Sequence, residues 1–126
     1  MAFQASLTKD VTGSNRFIIF DHVKLNIGNA YNPSHGNFIA PYNGTYLFTV
    51  YACSLSGHYI DLDLHVNSVV YDQVLAGDTV YNECTSMSTL VSLKENDDVF
   101  VKHESNGDYL HAAHRPSFGG VLLSVE

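Results

Sequence analysis

Turn-forming residues punctuate this chain at roughly the 8–12-residue spacing of an antiparallel β-domain. Between them, no stretch repeats apolar residues at i, i+3, i+4 and i+7 for long enough to make a helix. The spacing predicts strands over 18–27 after Gly13-Ser14-Asn15, over 44–53 after Pro41-Tyr42-Asn43, and over 59–66 after Ser56-Gly57-His58. Further strands are predicted over 69–75, 87–93, 99–103 and 118–125, set apart by Ala76-Gly77-Asp78, Glu95-Asn96-Asp97-Asp98 and Ser105-Asn106-Gly107-Asp108. Many short strands in series fold as an antiparallel sandwich or barrel. A length of 126 residues holds one such domain, spanning 1–126, because a second core would need roughly 100 residues of its own. Eight Tyr and seven Phe, within an apolar fraction of 45%, supply enough surface to fill that core, so a disordered chain is excluded.

The strands differ in how many faces they must hide. Along 59–67, Ile60, Leu62, Leu64 and Val66 share one face, while Tyr59, Asp61, Asp63, His65 and Asn67 share the other. This strand is expected to bury one face and wet the other. Along 46–51, Tyr46, Phe48 and Val50 oppose Leu47, Thr49 and Tyr51, and along 118–125 Val121, Leu123 and Val125 oppose Phe118 and Leu122. Those two strands need cover on both sides. A two-sheet sandwich has one interior, so the second apolar face must meet something else, and the simplest partner is another copy of the chain. Leu47, Tyr51, Val121, Leu123 and Val125 are the expected contact residues.

Charge and cysteine usage narrow the classes further. Six Lys and Arg stand against thirteen Asp and Glu, a formal charge of -7 that repels phosphate backbones and anionic membrane surfaces. Nucleic acid is therefore an unfavourable partner. No apolar run approaches the roughly 20 residues that span a bilayer, so membrane insertion is not expected. Residues 1–10 lack the basic start and apolar stretch of a signal peptide, and a secreted form is expected to carry its leader outside this sequence. Cys53 and Cys84 are too few for a disulfide framework and lack C-x-x-C spacing, so one bridge and two free thiols both stay open. No Ser or Cys sits in a nucleophile motif, and no dense His-x-His and Glu cluster marks a cupin-type metal enzyme, so an enzyme is not expected.

Six segments in series carry a family resemblance. The first three are Ile18-Ile19-Phe20-Asp21-His22-Val23, Asn26-Ile27-Gly28-Asn29-Ala30-Tyr31 and Gly36-Asn37-Phe38-Ile39-Ala40-Pro41. The others are Gly44-Thr45-Tyr46-Leu47-Phe48, Asp98-Val99-Phe100-Val101 and Ser117-Phe118-Gly119-Gly120-Val121-Leu122-Leu123. In this order, across essentially the whole chain, they resemble the hallmark blocks of the C1q globular-head domain. The resemblance implies a ten-stranded antiparallel jelly roll of the tumour-necrosis-factor type, all-β, closed into a homotrimer through its inner sheet. Tyr59, Leu64, Val66 and Asn67 after a glycine-containing turn are most similar to the collagen-free head-domain proteins of molluscs and other invertebrates. That similarity implies a secreted, lectin-like module of innate immunity that binds microbial polysaccharides or cell-surface glycans. The alternative it carries is a signalling ligand for a protein receptor, as other jelly-roll trimers of this type are.

Departures from the family also matter. No collagen-like Gly-x-y repeat is present, so trimerisation is expected from the head itself or from chain outside this sequence. Calcium-binding members carry an acidic pair before the strand that here starts near Met87. Those positions hold Leu75 and Ala76, which leaves Asp78 and Glu83 as weak calcium candidates and no other cofactor implied. The family topology sets the strands of Cys53 and Cys84 side by side, and a bridge there would close a loop of roughly 30 residues.

Two constellations offer polar binding chemistry. The row Tyr59, Asp61, Asp63, His65 and Asn67 matches what sugars need, since carboxylates and amides pair with vicinal hydroxyls and an aromatic ring packs on a pyranose face. The plain alternative is a solvated strand face. Its two carboxylates, about 6–7 Å apart at strand rise, also match glycosidase spacing, but an open face lacks the enclosing cleft that hydrolysis needs. The second constellation is Tyr109, His111, His114 and Arg115 in the loop before the last strand, where two imidazoles are spaced to meet one metal or to form a polar contact surface. Asn43-Gly44-Thr45 fits a glycosylation sequon and equally a tight turn; the turn is the expectation.

Overall fold

The structure, a computed structural model, describes residues 1–13, 15–103 and 109–126. Ser14 and the turn predicted over 105–108 lie outside the described residues. Among the described residues thirteen strands form and there is no helix. The first six are β1 (Ala2–Ser6), β2 (Val11–Thr12), β3 (Arg16–Phe17), β4 (His22–Ile27), β5 (Tyr31–Asn32) and β6 (Asn37–Ile39). Then come β7 (Gly44–Ser54), β8 (Tyr59–Val66), β9 (Val69–Gly77), β10 (Glu83–Leu93), β11 (Asp98–His103), β12 (Tyr109–Leu110) and β13 (Ser117–Val125). Ten of them lie on two five-stranded paths, β10-β7-β13-β1-β4 and β5-β6-β11-β8-β9. β3 adds to β11, and β2 pairs with β12 as a separate ribbon. Every pairing is antiparallel, which gives the expected ten-stranded jelly roll with three short additions.

Alternation builds the core. Tyr46, Phe48 and Val50 of β7 point inward and pair with Leu122, Gly120 and Phe118 of β13. Phe3 of β1 stands between the sheets with its ring 4.9 Å from Tyr31, 5.2 Å from Phe38 and 5.0 Å from Phe118. Room for it comes from Gly120, where a Cβ would lie 2.8 Å from the Phe3 and Phe48 rings. Buried phenols keep partners: the Tyr31 hydroxyl donates to the Phe20 carbonyl at 2.7 Å, and the Tyr46 hydroxyl to the Tyr42 carbonyl at 2.7 Å.

The strand predicted over 18–27 is a strand only from His22; residues 18–21 are a crossover from β3, just before them, in the other sheet. Arg16–Phe17 pairs with β11 and His22–Ile27 with β1, and between them Ile18 and Phe20 turn into the core as the chain crosses over. Two further expectations need correction. Asp61, Asp63 and His65 are only 9%, 5% and 5% exposed, so the outward row of β8 is not wet. Strand β8 lies between β9 and β11, whose side chains cover it: the Gln73 Nε2 donates to Asp63 at 2.7 Å, and His65 stacks on Phe100 at 4.9 Å. In β13 the register shifts between Leu122 and Ser124, so Val121 pairs with outward Leu47 while Val125 pairs with Gly44 in the inward row. Such a bulge breaks alternation, and Val121, Leu123 and Val125 do not form one regular row.

Cys53 and Cys84 are directly opposed across β7 and β10 and are joined in a disulfide, with a sequence separation of 31. Replacing both with serine is expected to lower unfolding free energy by about 3–4 kcal/mol, the chain-entropy value for a loop of this length. Urea denaturation followed by circular dichroism checks this; an unchanged midpoint would count against it.

Candidate ligand-binding surface

One end of the sandwich gathers most of the polar and aromatic groups that sequence reading singled out. The β2–β12 ladder pairs Val11 with Leu110 and Thr12 with Tyr109, and so carries the 109–115 loop back against the N-terminal segment. Asp10, just before β2, organises that loop. Its carboxylate accepts the Ala112 N–H at 2.7 Å and the Tyr109 hydroxyl at 2.7 Å, and it faces the His111 Nδ1 at 3.5 Å. The Ala112 and Tyr109 donors hold Asp10 below the usual carboxylate range, against the opposing effect of burial. The same bond pushes the Tyr109 phenol up. The His111 N–H donates to the Cys53 carbonyl at 2.8 Å, tying the loop to β7 beside the disulfide. Arg115 takes a left-handed turn position at φ 58° and lines a separate cleft with Ser6 and Thr8.

Beside this loop lies a cleft of about 490 Å³, walled by His58, Tyr59, Leu75, Gly77, Asp78 and Glu83. Its position follows from local chemistry in the turn between β9 and β10. Asp78 Oδ2 accepts the N–H groups of Val80 and Tyr81, both at 2.8 Å, which keeps this carboxylate below its ordinary range. Glu83 Oε1 accepts the Gly77 N–H at 3.0 Å, and Asn82 Oδ1 accepts the Ser56 N–H at 2.8 Å. His58 joins the two regions: it lines the cleft, and its ring centroid is 5.2 Å from that of Tyr109.

The structure thus separates the sequence-predicted residues. Tyr59 stays 62% exposed at the cleft rim, but Asp61, Asp63 and His65 are sealed between strands. Asn67 closes a turn: its side chain accepts the Asp98 N–H at 3.0 Å and donates to Asp97 at 3.2 Å. Tyr109, His111 and His114 form a chain of rings, with centroids 6.3 Å and then 6.2 Å apart. Sequence reading missed Asp10 and His58, whose partners are far along the chain. Asp78 and Glu83 would supply only part of the 6–8 oxygens that calcium takes, and no group of three or more His, Cys, Asp or Glu able to hold a metal occurs among the described residues.

A family model for the C1q domain matches residues 2–123, nearly the whole chain. The chain belongs to the C1q domain family. Such domains are non-enzymatic binding modules, and the structure agrees with their fold. This C1q domain is similar to the globular domain of zebrafish complement 1qA protein, with TM-score 0.83 at 16% identity over 99% of this chain and 98% of that one. It is also similar to Eiger TNF from S. frugiperda, with TM-score 0.73 at 15% identity over 100% and 94% of the two chains. By sequence it is 33% identical over 132 residues to the heavy metal-binding protein HIP of Mytilus edulis, covering 98% of this chain and 60% of that protein. The mouse complement C1q tumor necrosis factor-related protein 2 is 31% identical over 109 residues, covering 84% and 37% respectively. The chain thus spans 60% and 37% of the length of these two sequence relatives. No described helix is long and apolar enough to cross a membrane.

Proposed function

We propose that this C1q domain is a secreted homotrimeric recognition module that binds microbial or cell-surface glycans at the cleft beside Tyr59. One observation carries the reading: a cleft of about 490 Å³ is lined by an exposed tyrosine and two carboxylates. An aromatic face packs on the apolar side of a pyranose, and a carboxylate offers about four acceptor positions. The turn uses two of these at Asp78 and one at Glu83, leaving the rest to sugar hydroxyls. An open cleft buries little of a sugar, so each site is weak. Three sites on one rigid trimer raise the avidity for a polymer by about 10²–10⁴.

A glycan array read with and without calcium identifies the sugar class, and polysaccharide pull-down then tests the site. Tyr59→Ala is expected to weaken polymer binding about tenfold or more, because the loss recurs at each subunit. The double variant Asp61→Ala with Asp63→Ala should leave sugar contacts intact. Unchanged binding in Tyr59→Ala overturns the site. Absence of glycan binding, together with capture of a receptor ectodomain, replaces the reading with that of a signalling ligand. Calcium is expected to bind weakly at Asp78 and Glu83, and tight stoichiometric binding in calorimetry would contradict that.

A further inference from the structure

We propose that His111 and His114 bind a divalent transition-metal ion of the zinc and copper class at the tip of the 109–115 loop, with Asp10 as the residue that orients His111. The two imidazoles stand on one short turn, closed by the Arg115 N–H to the Ala112 carbonyl at 2.9 Å. Their centroids are 6.2 Å apart and their planes 78° apart. A tetrahedral ion with metal–nitrogen bonds of about 2.0–2.1 Å holds two ring centres about 5 Å apart, so the rings must close by about 1 Å. His114 is exposed, and rotation of its side chain supplies that movement.

Asp10 gives the pair its second element. Its carboxylate is fixed by the Tyr109 hydroxyl and the Ala112 N–H, and its Oδ1 stands 3.5 Å from the buried Nδ1 of His111. Histidines that ligate metals regularly turn their other nitrogen to a carboxylate, which fixes the tautomer and makes the ligating nitrogen more basic. Nδ1 of His111 is buried without a hydrogen-bond partner among the described residues, and Asp10 Oδ1 at 3.5 Å is the carboxylate it faces. The small closure of the ring that brings an ion in would turn Nδ1 onto Asp10 and leave Nε2 as the nitrogen for the ion. Imidazole ligands select zinc, copper or nickel over calcium, which prefers oxygen cages. Arg115, the cation nearest in sequence, lines the cleft with Ser6 and Thr8 instead. No third metal-ligating side chain converges on the pair among the described residues, so water fills the other positions and the site is an open one.

Zinc titration by calorimetry on the wild-type protein, with NMR of the imidazole resonances, tests the proposal. One zinc per chain is expected, with zinc-dependent shifts at His111 and His114. His114→Ala removes an exposed side chain and should weaken zinc binding at least tenfold without touching the fold. Asp10→Asn should weaken it by about 10–100-fold through His111, with folding checked by circular dichroism. His35→Ala, at an exposed histidine elsewhere, should leave affinity unchanged, and calcium should not displace zinc. Zinc affinity that survives in the His111→Ala and His114→Ala double variant overturns the proposal, as does wild-type protein that takes up no zinc. Glycan binding at Tyr59 is read separately and is unaffected by either outcome.

Discussion

Replacing Phe118 by alanine is expected to lower the unfolding free energy by about 3–5 kcal/mol, a large share of the 5–15 kcal/mol that holds a domain of this kind folded. The side chain is fully buried, and its ring touches four others: Phe3 at 5.0 Å, Phe20 at 5.9 Å, Tyr31 at 6.0 Å and Phe48 at 6.1 Å. These neighbours come from β1, β5, β7 and the crossover before β4, so none can move into the void without pulling on a strand. The contrasting variant is Phe17→Ala. Phe17 is 58% exposed, with its ring against the edge of Phe100 and the Lys102 ammonium at 5.3 Å, so its removal should change stability by under about 1 kcal/mol. Chemical denaturation read by tyrosine fluorescence compares them, since the chain has no tryptophan. Equal losses in the two variants would mean that the aromatic cluster is not the centre of the core.

What was legible in the sequence follows the reach of each signal. The bounds of β8, Tyr59–Val66, match the prediction because alternation is clean and a turn lies at each end, with Gly57 at φ 79° and Asn67 at φ 56°. β1 went unread because Ala2–Ser6 has one large apolar residue, Phe3, and becomes a strand by fitting between β13 and β4. β5 and β6 are too short for any period to show. Alternation tells which side a residue faces but not how deep that side lies. Asp61, Asp63 and His65 were placed on the correct face, yet the two flanking strands that bury them are set by tertiary topology. A bulge at Leu123 is invisible for a related reason, because two successive leucines carry no phase. In the candidate site, Tyr109, His111 and His114 lie within one loop and read together. Asp10 contacts Ala112 from 102 residues away, and no local pattern could announce it.

The outer face of the β10-β7-β13-β1-β4 sheet leads to the second large effect. Leu25, Ile27 and Leu90 are exposed on these strands, and Leu47 and Val121 are half-buried around a shallow cleft of about 240 Å³. A row of aliphatic side chains across a whole sheet is more than a soluble monomer leaves open, and it is the face that the family resemblance assigns to trimer contact. Val121→Glu is therefore expected to convert the protein from about three times the 13.9 kDa chain mass to a single chain in light scattering. A carboxylate buried without a partner costs several kcal/mol per interface, and the closed ring repeats the change at three of them. Val121 pairs outward with Leu47 and not with the aromatic core, so the variant should keep its fold by circular dichroism while losing assembly. Polysaccharide binding then separates two contributions. A folded monomer keeps each weak site but loses the avidity factor, so polymer affinity should fall toward that of a single sugar. If Val121→Glu remains a trimer, contact lies on another surface, and the apolar face must be covered by a different partner.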